Sequence, residues 1–186
     1  MSLLELQNLL ARIFTDEDLR RDFLADPEGV GLKRGLTGEE IKGLCRILPE
    51  EIESFSESLF FKRLREVERL LPLTGKVLGE DLEREFLRFS REFNPKTVHK
   101  HLEDALGFSR FLCTAELVPI WAGDLARYEA GRLEFVALEK RAVFIKMDFD
   151  LRKVRQTGFD PLSELKKRKT FAIWWRIGKK GRHFIF

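Results

Sequence analysis

The chain has 186 residues, of which 44% are hydrophobic and 35% are charged, a balance typical of a folded globular protein and not of a disordered one. No stretch approaches the about 18 consecutive apolar residues of a membrane-spanning helix, and MSLLELQNLL lacks the basic start and small-residue cleavage site of a signal peptide. We therefore expect a cytoplasmic protein that does not interact with membranes.

Charge is divided unevenly along the chain. Residues 141–186 contain 13 Lys or Arg and 4 Asp or Glu, a net charge of +9, whereas residues 1–140 contain 21 and 27, a net charge of −6. Because a strongly basic segment attracts acidic partners, the two parts of the chain are predicted to face different surroundings.

The N-terminal part has the apolar period of helices. Apolar residues recur at helical spacing from Leu3 to Phe14, and Thr15 is the predicted cap of a second helix that ends near Pro27. Thr37, with Glu40 three positions later, predicts a capping box at the start of another helix.

Helices are also predicted through the middle of the chain. Pro49 opens the longest helical pattern, which Pro72 interrupts. Further helices are predicted over residues 80–93, 96–113 and 119–133. Residues 1–135 are therefore predicted to form a multi-helix bundle domain.

The pattern changes to the period of strands after residue 135. AVFIKMDFD, from Ala142, alternates with Val143 and Met147 on one face, and TFAIWWRI and RHFIF are the second and third predicted strands, joined by GKKG. A loop at 158–161 and a single helical turn in LSELKK separate the first two strands. The fold class is therefore α+β, with residues 136–186 forming a small antiparallel sheet domain that packs one face on the helices.

The sequence offers little that indicates catalysis. The three histidines are His99, His101 and His183, and the first two point about 200° apart on a helix, too far for one metal ion. Cys45 and Cys113 are predicted to be separate, buried thiols, and no phosphate-binding loop or nucleophile motif is present. We predict no metal, no cofactor and no enzymatic activity of its own, although a catalytic site dispersed among the helices stays open.

The basic, aromatic strands after residue 165 are the strongest functional feature. An exposed sheet edge binds extended peptides, whereas cations interleaved with aromatics also suit nucleic acid, and Lys on a strand also protects an edge from aggregation. Peptide docking is the favoured interpretation and nucleic-acid binding the alternative. The predicted peptide-binding residues are Lys166, Lys167, Arg168, Lys169, Phe171, Ile173, Trp174, Trp175, Arg176, Arg182 and Phe184.

A diffuse pattern in residues 63–135 carries a family resemblance. An Arg-containing helix leads to a proline and threonine, a glycine and acidic residue follow, and then come an aromatic-rich helix, a proline break, a Phe-x-x-Phe-Leu helix end and an Asp-Leu-Ala-Arg-x-Glu helix. These residues are Pro72, Thr74, Gly79, Glu80, Phe86, Phe89, Pro95, Phe108, Phe111, Leu112, Asp124, Leu125, Ala126, Arg127 and Glu129. The segment resembles bacterial partner subunits of multinuclear iron-dependent oxidases that modify ribosomally made peptides, such as the small subunit of the methanobactin-forming pair.

The resemblance implies a non-catalytic subunit that forms a heterodimer with an iron-dependent oxidase and holds the leader part of an acidic precursor peptide, in some members as an added strand. Some members carry a DNA-binding label. We assign the oxidase-facing surface to Arg127, Tyr128, Phe108 and Phe111, with an internal Arg127–Glu129 ion pair as the favoured alternative for that helix.

Overall fold

A computed structural model describes residues 3–154, 164–178 and 180–186 of the chain. The described residues form nine helices followed by one three-stranded antiparallel sheet, so the α+β class is confirmed. The helices are α1 (Leu3–Thr15), α2 (Glu17–Ala25), α3 (Pro27–Lys33), α4 (Gly38–Leu44), α5 (Pro49–Leu70), α6 (Pro72–Leu78), α7 (Asp81–Glu92), α8 (Lys100–Leu112) and α9 (Ala122–Ala137), and the strands are β1 (Ala142–Phe149), β2 (Lys167–Ile177) and β3 (Lys180–Ile185).

The chain divides into two compact units, Met1–Arg63 and Leu64–Phe186. This division falls inside α5 and differs from the predicted boundary at residue 135, because the sheet packs on α9 and belongs to the same unit as α6, α7 and α8. A small sheet gains stability by packing an apolar face against a helix, and here that helix is α9. Its helical cover is therefore part of the same folding unit.

The first unit is a small helical core with well-defined helix starts. The capping box is confirmed, since the Thr37 backbone N–H donates to Glu40 Oε2 at 2.7 Å and the Glu40 N–H donates to Thr37 Oγ1 at 3.3 Å. The predicted cap at Thr15 is wrong: Asp16 caps α2 by accepting from the Leu19 N–H. The buried side chains of this core are Leu9, Ile13, Leu19, Phe23, Leu36, Ile41, Leu44 and Ile52.

The second unit is built around α9, which is buried along most of its length and contacts α6, α8, β1 and β2. Pro72 does not simply interrupt a helix, because it is the first residue of α6. The α6 start is capped from α9: Glu129 accepts from the backbone N–H groups of Leu73 at 3.1 Å and Thr74 at 2.7 Å. This long-range cap explains why a helix forms where the sequence predicts a break.

Two other predicted features differ from the structure. Helix α8 begins at Lys100 and not near Lys96, since the Lys96 and Thr97 N–H groups donate to the Glu103 carboxylate. Cys45 is exposed and Cys113 half-buried, so the prediction of two buried thiols is wrong. The predicted loop at 158–161 and part of the predicted turn in LSELKK lie outside the described residues.

Candidate functional site

One face of the sheet packs against α9. Met147 and Ala172 on this inner face are fully buried, and Trp174 is nearly so. A glycine on α9 permits the close approach, since a Cβ on Gly131 would lie 2.7 Å from Ile145 Cγ1 and 3.2 Å from Trp174 Cζ3. The inner face is therefore part of the protein core.

Two tryptophans next to each other on β2 have different roles. Trp174 is 4% exposed and stacks on His183 with 4.6 Å between ring centroids, while Tyr128 of α9 lies 5.1 Å from it. The assignment of Trp174 to peptide binding is therefore wrong, and so is that of Tyr128, 5% exposed, to a partner surface. Trp175 points to the opposite face and is half-buried.

The outer face of the sheet carries exposed aromatic rings from all three strands. Phe144 of β1 is 57% exposed and stacks on Phe171 of β2, with ring centroids 5.3 Å apart. Phe171 in turn stacks on Phe186 at 5.7 Å, and Phe186 on Phe184 at 6.1 Å. Ile173 lies in the same face, between Phe144 and Phe184 in the strand register. This outer aromatic face is defined by Phe144, Phe171, Ile173, Trp175, Phe184 and Phe186.

Lysine and arginine side chains lie around the outer aromatic face, but one of the predicted peptide-binding cations, Arg176, packs on α9 instead. Lys180 and Arg182 are exposed and alternate with Gly181 on β3, which places them in line with Phe184. Lys166, Lys167, Arg168 and Lys169 are exposed before and at the start of β2. Arg176 instead lies over the Phe135 ring at 4.5 Å and donates to the Phe135 carbonyl, so it anchors the sheet on α9, and its assignment to peptide binding stays a prediction.

The two edges of the sheet differ. The strand order β1-β2-β3 makes β1 and β3 the edge strands. At β1, Asp124 Oδ2 accepts from the Asp148 N–H at 2.6 Å, and Arg127 Nη1 donates to the Lys146 carbonyl at 3.1 Å. Side chains of α9 therefore occupy backbone groups along the second half of the β1 edge.

The hydrogen-bond pattern identifies which residues of β3 face outwards. Phe171 and Phe186 exchange both backbone hydrogen bonds, so Phe186, Phe184 and Arg182 direct their N–H groups to β2. Intervening residues, such as Gly181 and Ile185, direct theirs to the side away from β2. An extended peptide can pair with such outward groups.

Buried carboxylates on α9 hold this arrangement together. Burial raises the pKa of Asp124, although the N–H groups of Asp148 and Phe149 oppose the shift. Burial likewise raises the pKa of Glu129, against the N–H donors at the start of α6. The expected Arg127–Glu129 ion pair is absent from the described contacts, since Arg127 lies 3.7 Å from Asp124 and Glu129 caps α6.

The remaining predicted partner residues lie in an aromatic cluster between α7 and α8. Phe108 is fully buried against Phe86 at 5.3 Å and Phe89 at 5.5 Å, so its assignment to a partner surface is wrong. Phe111 is half-buried, with the Arg88 guanidinium 5.7 Å from its ring centre. Of the four predicted interface residues, Phe111 and Arg127 keep accessible side chains.

Within the described ranges, no three His, Cys, Asp or Glu residues are grouped so that they could hold a metal ion. A pocket of about 270 Å³ between α8, α9 and β1 is lined by Ser109, Cys113, Arg127 and Glu134 among apolar side chains. None of the described helices combines the length and apolar character needed to cross a membrane.

Comparison with known proteins does not assign a family, since no protein-family model matches the chain and no curated protein matches it.

Proposed function

We propose that this protein is a non-catalytic peptide-binding subunit that pairs an extended, acidic polypeptide with the outward edge of β3. One observation carries the proposal: α9 side chains bond to the β1 edge, whereas β3 is an edge strand with outward backbone groups beside exposed Arg182 and Phe184. Strand addition satisfies such backbone groups, and neighbouring side chains then select the guest.

Charge supports an acidic guest. Exposed Lys180 and Arg182 lie on β3, and residues 166–169 add four further exposed cations at the start of β2. A field of one sign accelerates the encounter with a peptide of opposite charge, and salt weakens the attraction. We expect micromolar or tighter binding at low ionic strength and weaker binding as salt is added.

The resemblance of residues 63–135 to partner subunits of iron-dependent oxidases supports a specific role. The peptide is then the leader of a ribosomally made precursor, and the protein presents it to the oxidase within a heterodimer. This part has its own test: an iron-containing protein co-elutes with the tagged chain from source cells in comparable amount. Recovery of the tagged chain alone contradicts it.

The β3 edge is tested with proline variants, because proline removes an N–H group. In Ile185→Pro the lost N–H is one that faces the guest, so affinity for a fluorescein-labelled peptide of alternating Glu and Val falls by about tenfold or more. Ile185→Ala removes the side chain but keeps the N–H, and Ala142→Pro removes an outward N–H at the other edge. Both control variants are expected to keep binding the peptide. Circular dichroism verifies that all three variants are folded.

Equal losses in Ile185→Pro and Ile185→Ala indicate that the side chain and not strand pairing matters. A loss confined to Ala142→Pro places the guest on β1. Either result overturns the proposed binding mode, as does equal binding of a peptide in which Lys replaces Glu.

Nucleic-acid binding is the second candidate, favoured by the outer aromatic face with Lys146 and Arg182 on it. Bases stack on exposed aromatic rings, and phosphates pair with cations. Nucleic-acid binding predicts that the logarithm of the affinity for a single-stranded oligonucleotide falls steeply and linearly with the logarithm of the salt concentration. Loss of that binding in Phe184→Ala, with the acidic peptide bound only weakly, favours this candidate over peptide binding.

A further inference from the structure

The edge strand β3 has a directional arrangement of side chains on the outer face. Lys180 and Arg182 come first along the strand, and Phe184 and Phe186 follow. Successive members of this row are about 6.8 Å apart, since residues of one face alternate along a strand. The row therefore has a cationic half and an aromatic half.

The strand register fixes these four side chains on one face. Lys180 lies opposite Ile177, Arg182 opposite Trp175, and Phe184 opposite Ile173. Phe186 stacks on both Phe171 and Phe184. Both halves are accessible, because Phe184 is 58% and Phe186 54% exposed and the two cations are exposed as well.

A strand paired with β3 would place alternate side chains directly beside this row. Directly opposite residues of neighbouring strands have Cβ atoms about 5 Å apart, close enough for opposite charges to pair and for apolar groups to pack. When the guest instead places a like charge beside a cation of β3, or a charge beside an aromatic ring, this favourable interaction is lost. The row on β3 therefore discriminates between guests of equal composition.

We infer that the guest segment is bipartite over about seven residues, with apolar side chains at two alternate positions and acidic side chains at the next two. This inference rests on the proposed function and specifies its peptide. Both strand pairs of the sheet are antiparallel, and antiparallel pairing is the more stable per residue. The apolar half is therefore N-terminal, beside Phe184 and Phe186, and the acidic half follows, beside Arg182 and Lys180.

Three peptides of identical composition test the order. The matched peptide is Phe-Thr-Phe-Thr-Glu-Thr-Glu, the reversed peptide is Glu-Thr-Glu-Thr-Phe-Thr-Phe, and the mixed peptide is Phe-Thr-Glu-Thr-Phe-Thr-Glu. Each carries blocked ends and a fluorescent label, and binding to the full chain is measured by anisotropy at low salt. The matched peptide binds about tenfold more tightly than the other two, because four favourable neighbours add up along the row.

A charge-reversal variant tests the cationic half. Arg182→Glu weakens the matched peptide about tenfold and binds the analogue with Lys in place of Glu more tightly than the wild-type chain does. Lys42→Glu, an exposed position on α4, makes the same change in net charge and leaves the order of the peptides unaltered. That control separates local pairing from the general field.

The outcomes separate this inference from the function beneath it. Equal affinity of the three peptides, or tighter binding of the reversed or mixed one, overturns the bipartite guest while strand addition stands. Failure of all three to bind overturns both. Equal effects of Arg182→Glu and Lys42→Glu also contradict the inference, since net charge alone then accounts for binding.

Discussion

The close packing of the sheet against α9 depends on the absence of a side chain at Gly131. Alanine there places a Cβ 2.7 Å from Ile145 Cγ1, well inside van der Waals contact, and 3.2 Å from buried Trp174. Overpacking of this kind destabilises by about 1–3 kcal/mol, whereas replacing a helical glycine by alanine stabilises by about 1 kcal/mol. Gly131→Ala is therefore expected to lower the free energy of unfolding by about 1 kcal/mol, and bulkier Gly131→Val by about 3 kcal/mol.

Urea denaturation followed by tryptophan fluorescence measures these changes, because the three tryptophans all lie in the second unit. Val136→Ala provides a control on the same helix, since Val136 is 59% exposed and its truncation is expected to change stability by less than about 0.5 kcal/mol. A Gly131→Ala variant more stable than the wild type by the full helical gain would refute the reasoning, as it would mean that the sheet does not press on α9 at this point.

Two further predictions concern polar groups. Because burial raises the pKa of Glu129 above its ordinary value, the native state binds its proton more readily than the unfolded chain. Relative to non-titrating Glu129→Gln, the wild type therefore gains thermal stability as the pH falls through the raised pKa, and a difference independent of pH contradicts this. Thr37→Ala removes one half of the capping box and lowers the unfolding free energy by about 1 kcal/mol, measured by circular dichroism; an unchanged midpoint contradicts the cap.

Local signals in the sequence predicted much of the fold. The alternation in β1 placed Val143 and Met147 together on one face, because a strand has a period of two, and the structure shows that this face is the buried one. Thr37 and Glu40 likewise predicted the start of α4, because the two partners of a capping box lie within one helical turn of each other. Features of this kind need no knowledge of distant residues.

Long-range packing determined what the sequence left open. Both faces of β2 carry a tryptophan. Trp174 is the buried one, because Gly131 of α9 leaves space for its ring and the Tyr128 ring packs beside it. The bonds from Asp124 and Arg127 to β1 likewise join residues about twenty positions apart, and they distinguish the two sheet edges. Periodicity predicts a face but not its partner.

Amide hydrogen exchange on the peptide complex tests the proposed strand addition most directly. With the matched peptide at saturation, exchange of the Gly181 and Ile185 amides is expected to slow by about tenfold or more, because these N–H groups become bonded to the guest backbone. The Ala142 and Phe144 amides at the other edge are expected to exchange at their original rates. Unchanged exchange at Gly181 and Ile185, or protection at Ala142 and Phe144 instead, would contradict peptide binding on β3.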